Sequence, residues 1–259
     1  MPARPAHAPD RRLQLTSRDR RLLEFLAEHR LVLAGHVRVL LGVSRTAADA
    51  RLRALAHAGY LSRVPVLHRQ PWCIQITRTG LAAIGSQLPA PRLNLHSYHH
   101  DVGSGWLWLA AGSGTFGQMR EVVGERRMRS HDASPRHGSD PFGVRLGGIG
   151  ADGRDRRHYP DLLLIRPGGG RVAVELELSS KGPARTQRIL AGYGADPQVA
   201  GVLYLVENRA IGRSVERCAR KLGISDLVKV QMVRCTGAPA GGERGRIATR
   251  AHGVRAMER

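Results

Sequence analysis

Three carboxylates stand where apolar residues are expected. In the stretch HYPDLLLIRPGGGRVAVELELSSKG, residues 158–182, Asp161 opens one apolar run, while Glu175 and Glu177 interrupt a second. The second run alternates as a strand does. Val172, Val174, Leu176 and Leu178 share one face; Arg171, Ala173, Glu175, Glu177 and Ser179 share the other. A two-residue rise of about 6.6–6.8 Å sets the Glu175 and Glu177 side chains next to each other. The glycine turn makes the two runs a hairpin, which brings Asp161 near the far end of its partner strand. Clustered carboxylates repel one another and are costly to desolvate without a compensating cation. Oxygen ligands without cysteine suit Mg2+ or Mn2+ better than zinc. An ion held by Asp161 and Glu175 would polarise a phosphoryl oxygen and activate water. The other reading of the same residues is a set of ion pairs with arginines on a solvated sheet face.

The elements that position these residues follow a first module with a different logic. In LTSRDRRLLEFLAEHR, Thr16 and Asp19 form a capping-box variant, and Leu22, Leu23 and Leu26 make a helical stripe. LAGHVRVLLG is a short second helix ending at Gly42. Ser44 caps a third helix, RTAADARLRALAHAG, closed by Gly59. Its buried face is Ala48, Leu52 and Leu55; Arg45, Thr46, Asp49 and Arg53 lie mainly opposite. Two β-prone runs around HRQP then form a hairpin, and a short helix follows near 79–86. Three helices and a hairpin in this order are those of a winged helix-turn-helix over residues 15–90. In that arrangement the third helix enters the major groove, so Arg45, Thr46 and Arg53 face bases or phosphates. Arg63, His68 and Arg69 on the hairpin would track the backbone. Winged helices also mediate protein contacts, which is the competing use of the same surface.

Charge favours nucleic acid. The chain carries 41 Lys and Arg against 21 Asp and Glu, a formal net charge of +20. Residues 15–90 alone hold eleven arginines and four acids. An excess on this scale calls for a polyanionic partner, most simply double-stranded DNA. No apolar run approaches the roughly 20 residues needed to span a bilayer, and the first residues lack the apolar core of a secretory signal. The three cysteines, Cys73, Cys218 and Cys235, are odd in number and far apart, which fits a reducing, cytoplasmic setting. A homodimer is compatible with the first module, although no heptad marks one.

After a proline-marked joint, QLPAPRLNL, a second module runs over 95–235. It reads as α/β with a mixed sheet (α+β for the chain as a whole). A helix over 95–111 turns Trp106 and Leu109 or Trp108 inward, and QMREVVGERRMR is a strand in which Glu125 is a candidate extra ligand. Residues 130–157, rich in Gly, Arg and Asp, read as a long loop or mobile insertion. Strands 159–166 and 171–179, a helix 183–194, a strand VAGVLYLVE, a helix IGRSVERCARKLG and a last strand 227–233 complete it. Residues 1–14 and the basic 236–259 are expected to be disordered tails. In HSYHHD, His96 and His100 stand four apart beside Asp101, a spacing open to a transition metal. Arg185, Gln187 and Tyr193 are candidate DNA-backbone contacts. GSGTFG and GIGADG match a dinucleotide fingerprint in letters but not in context.

The YPD motif, with Glu175 of ELE fourteen positions after Asp161, resembles the PD-(D/E)XK nuclease superfamily. The resemblance implies that Asp161 and Glu175 hold Mg2+ or Mn2+. Glu177 stands where that family places lysine; in this role it would complete the acidic site or orient water. Lys181, four residues on, would substitute for the missing lysine and stabilise the pentacovalent phosphate. The order over roughly 13–235 is also similar to the replication-relaxation family of mobile elements. The likeness rests on LTSRDRRLLEFLAEHR and on HYPDLLLI with VAVELELSSKG. It implies a winged helix followed by a degenerate nuclease-like module. Two functions follow as expectations. One is a double-stranded DNA-binding, metal-dependent endonuclease. The other is an inactive regulator or a replication or mobilisation accessory built on the same fold.

Overall fold

The first helix begins where its sequence can cap it. The Thr16 hydroxyl accepts the Asp19 N–H at 3.3 Å, and the Asp19 carboxylate accepts the Thr16 N–H at 2.7 Å. Helix α1 (Ser17–Glu28) then buries Leu22, Leu23, Phe25 and Leu26. The computed structural model describes residues 13–134, 140–151 and 153–233, so the expected tails lie almost wholly outside the described residues. The chain divides into two compact units, Met1–Arg92 and Leu93–Arg259.

In the first unit, helix α2 (Ala34–Leu41) stops at Gly42, whose φ of 64° lies in the left-handed region that suits glycine. Ser44 accepts the Ala47 N–H at 3.3 Å and starts α3 (Arg45–His57), which buries Ala48, Leu52 and Leu55. Strands β1 (Leu61–Val64) and β2 (Cys73–Ile76) pair antiparallel, with Leu61 opposite Ile76. Val32 adds a bridge to Ile74 through two hydrogen bonds of 2.9 Å. A short α4 (Arg78–Ala83) closes the unit, capped by Thr77. Arg51 on α3 reaches the buried Asp19 with a two-pronged guanidinium, Nε to Oδ1 at 2.5 Å and Nη2 to Oδ2. That fork ties α3 to the cap of α1.

In the second unit a 3-10 turn at Leu95–Ser97 leads into α5 (Tyr98–Gly112). Then come β3 (Glu121–Gly124), α6 (Glu125–Ala133), β4 (Val144–Ile149), β5 (Asp155–His158) and β6 (Leu162–Ile165). They are followed by β7 (Arg171–Glu177), α7 (Pro183–Ala195), β8 (Val199–Val206), α8 (Arg209–Lys221) and β9 (Val228–Met232). Five strands form a mixed sheet in the order β3-β6-β7-β8-β9. The first three are antiparallel; β8 runs parallel to β7, and β9 parallel to β8. Leu162, Leu164, Val174, Leu176 and Leu205 pack on one face with Leu107 and Ala111 of α5. On the other face Leu163, Ala173, Val202, Tyr204 and Val206 meet Ile189, Leu190 and Tyr193 of α7 and Val215 of α8. The period of two puts Glu175 and Glu177 on this second face with Ala173.

Three sequence expectations change. The strand expected through QMREVVGERRMR ends at Gly124, and Glu125 opens helix α6, where its carboxylate pairs with Arg129 at 2.7 Å one turn on. Glu125 is therefore not a strand-borne metal ligand. The stretch 130–157 is not a structureless insertion. It contains the end of α6 and the β4–β5 hairpin, in which Val144 opposes His158; its residues 135–139 and 152 lie outside the described residues. This hairpin is seated on α7, where a Cβ added at Gly192 would come within 2.6 Å of the Arg145 carbonyl oxygen. Only glycine permits that approach. In α5 Leu109 is buried as expected, with Leu107, and Trp108 packs half-buried against the sheet core, while Trp106 is only half-buried. Among the described residues no helix is long and apolar enough to cross a membrane.

Candidate functional site

The β6–β7 register decides whether the acids meet. Leu162 opposes Val174, so one further step sets Asp161 across from Glu175. The Asp161 N–H donates to the Val174 carbonyl at 3.1 Å, and its Oδ2 accepts the Leu176 N–H at 2.6 Å. Asp161 is thereby pinned at the mouth of β6. Its Oδ1 meets Nε2 of His100, from the first turn of α5, at 3.0 Å. Glu175 is 1% exposed. Its Oε1 meets Nε2 of His158, the last residue of β5, at 2.6 Å and accepts the Tyr193 hydroxyl of α7. Lys181, in the β7–α7 turn, swings back along the strand. Its Nζ stands 2.7 Å from Glu177 Oε2 and 3.9 Å from Glu175 Oε2. The structure thus brings Asp161, Glu175, Glu177 and Lys181 to one place and adds His100, His158 and Tyr193.

The electrostatics grade from a sealed floor to an accessible mouth. Burial pushes the Glu175 carboxyl up, but the charge and hydrogen bond of His158, then Lys181 and Tyr193, outweigh it and hold it below the usual carboxylate range. Burial raises Glu177, with Glu175 and Asp161 adding to the effect against Lys181. Lys181 itself would be pulled down by burial, and the two glutamates and Asp161 raise it instead, so it stays an ammonium. At the mouth His100 is lowered by burial and lifted by the hydrogen bond and charge of Asp161, to about 9. The Tyr193 hydroxyl is pushed well up by burial and by Glu175, so it remains a donor.

A divalent cation was the chemistry expected at Asp161 and Glu175, and as they stand the side chains do not fit one. Both Asp161 oxygens are engaged, as is Oε1 of Glu175, and Oε2 of Glu175 faces an ammonium. The alternative of arginine pairs on a wet face does not hold either. The compensating groups are two histidines and a lysine, and the glutamates are buried. Arg171 of the same strand pairs with Asp140 instead, at 2.7 Å.

In the first unit, Arg45, Thr46 and Arg53 are exposed on α3. Asp49 sits between the two arginines, with Arg45 Nε 3.8 Å from its carboxylate and Arg53 Nε donating to its carbonyl at 3.3 Å. His68 and Arg69 are exposed at the hairpin tip, where Arg69 takes a φ of 58°. Arg63, expected to track the backbone, is half-buried, its guanidinium 5.3 Å over the ring of the exposed Trp72.

Local spacing misled at two places. His96 and His100 do not converge: His100 turns to Asp161, His96 is exposed, and Asp101 accepts the Ser97 hydroxyl at 2.9 Å. Tyr193, read as a backbone contact, is buried against Glu175. The sequence offered one signal for the missing partners, the histidine directly before YPD. No family model, curated protein or solved structure matches this chain in comparisons with known proteins.

Proposed function

We propose that the chain is a double-stranded DNA-binding protein whose second unit serves as a platform rather than a hydrolase, as a regulator or replication accessory of a mobile element would use it. The carrying observation is α3. It follows a glycine-terminated turn, buries one face, and presents Arg45, Thr46 and Arg53 on the other, with His68 and Arg69 on the hairpin that follows. That disposition supports a winged helix-turn-helix, in which such residues meet base edges and phosphates. For the second unit, the sheet order β3-β6-β7-β8, three antiparallel strands and then a parallel one, with α5 before β3 and α7 between β7 and β8 in the chain, supports a PD-(D/E)XK-like module. The acid cluster matched by the chain's own cations supports the platform reading over catalysis.

Fluorescence anisotropy with a labelled duplex between 50 and 200 mM salt tests it. About four phosphate contacts give a log–log salt slope of roughly −3 to −4. Arg45→Ala, Arg53→Ala and Arg69→Ala should each flatten that slope by about 1. Affinity indifferent to salt, or unchanged in the triple variant, would make the first unit a protein adaptor instead.

One observation favours a second reading, a Mg2+- or Mn2+-dependent endonuclease: Asp161 faces Glu175 across the hairpin with an ammonium close by. An ion would have to displace His100 and Lys181. Supercoiled plasmid with Mg2+ or Mn2+ decides the matter. Intact DNA is expected, whereas cleavage by the parent and not by Asp161→Ala would establish the nuclease.

A further inference from the structure

We propose that Lys181 is the built-in counter-cation of the acid cluster. Its ammonium takes the place between Glu175 and Glu177 that a divalent ion would otherwise occupy, and the second unit holds its carboxylates together without metal. The inference concerns the second unit alone and stands whether or not the first unit binds DNA.

The geometry is that of a bridging cation. Nζ faces Oε2 of both glutamates, at 2.7 and 3.9 Å, from a backbone position past the end of β7. To get there the side chain folds back along its strand, and three-quarters of it is removed from solvent. A lysine left to itself would extend into water, since its charge is better hydrated than buried. Among the described residues no other cation is shared by these two buried acids, and their attraction accounts for the folded-back course. Oε1 of Glu175 and both oxygens of Asp161 have separate partners: His158 and Tyr193 serve Oε1 of Glu175, His100 serves Oδ1 of Asp161, and the Leu176 N–H serves its Oδ2. Three carboxylates therefore face three basic side chains, and Lys181 is the one that touches two acids. A Mg2+ ion needs oxygens at about 2.0–2.1 Å. Seated on both Oε2 atoms, it would lie within a few ångströms of the ammonium, where two like charges repel. The ammonium therefore competes with a divalent ion for the two Oε2 atoms.

Thermal unfolding of the full chain, in EDTA and in about 5 mM Mg2+ or Mn2+ at matched ionic strength, tests this. The parent should melt at the same temperature in both. Lys181→Met leaves two buried acids without their shared cation, so its Tm in EDTA should fall by roughly 4–8 °C. Saturable recovery in Mn2+ should follow. Titration of Mn2+ followed by paramagnetic resonance should show about one bound ion in Lys181→Met and none in the parent. Lys181→Arg, which keeps the charge, should stay indifferent to metal. If Lys181→Met does not fold, Glu177→Gln with Lys181→Met, which removes one acid as well, should fold in EDTA. A parent chain stabilised by Mg2+ or Mn2+, a folded Lys181→Met that binds no Mn2+, or a double variant that still needs metal would each overturn the proposal.

Discussion

Asp19 and Glu175 are equally buried, 2% and 1% exposed, yet the two units neutralise them in opposite ways. Asp19 has one cation. Arg51 grips both of its oxygens, and Thr16 supplies the rest through the helix cap. Glu175 draws on three elements: His158 from β5, Tyr193 from α7 and Lys181 from the turn between β7 and α7. The first arrangement is a staple between two helices, and nothing replaces a lost partner. The second is a shared balance in which each partner carries part of the load. A buried acid with a single dedicated partner therefore reads as architecture. One whose compensation is spread over several elements, beside two more acids, reads as a site.

The largest loss is expected at Arg51. Arg51→Ala strands Asp19 as an uncompensated buried charge and should cost about 3 kcal/mol, the lower end of the range for such losses because Arg51 is itself partly exposed. Faster amide exchange in α1 and α3, and not in β7, is the expected signature. His158→Ala should cost less, about 1.5–2.5 kcal/mol, since Tyr193 and Lys181 remain on Glu175; a loss as large as that at Arg51 would erase the distinction. Tyr193→Phe removes one donor and keeps the ring, so about 1 kcal/mol is expected, read in urea unfolding of the second unit.

The two units also differ in their response to pH. Burial tends to raise Asp19, and its bonds to Arg51 and Thr16 bring it below its ordinary value of 3.8. Its stabilisation is therefore complete above that value and drains away as pH falls through the lowered one. His100 is the reverse case, raised from 6.5 to about 9. Its contact with Asp161 contributes fully below 6.5 and is lost as pH rises through about 9. Melting curves between pH 7 and 10 should show the second unit weakening and the first holding steady, and His100→Gln should flatten the change.

Local rules made much of this legible. The capping box at Thr16, the stop at Gly42 and the alternation around Glu175 each depend on residues within a few positions of one another, and each appears where the sequence puts it. What escaped was anything decided by distant partners. The same Asp19 that announced a helix start also takes Arg51, 32 residues away, which no local pattern encodes. Val122 and Val123 suggested a longer strand, but the run Glu125 to Arg129 has helix-favouring residues and an i,i+4 pair, and these end the strand at Gly124. In β4 the alternation is broken by Gly147 and Gly148, both at positive φ, where the register slips between Arg145 and Ile149. That slip hid a strand inside what read as loop. For the site, the acids were visible because charge in an apolar strand is conspicuous, whereas histidines scattered along a chain are not.

The β4–β5 hairpin gives that hidden strand its importance. Its last residue is His158, and its backbone rests on α7 at Gly192, one position before the tyrosine that shares Glu175. Anyone trimming the protein for crystallisation would cut the glycine- and arginine-rich segment first, as the most dispensable part. Shortening it would withdraw a hydrogen-bond partner from a sealed carboxylate and unseat the helix that carries the second donor. The apparent ornament is a keystone, and deletion variants across 140–158 should be read as injuries to the acid cluster rather than as harmless loop removals.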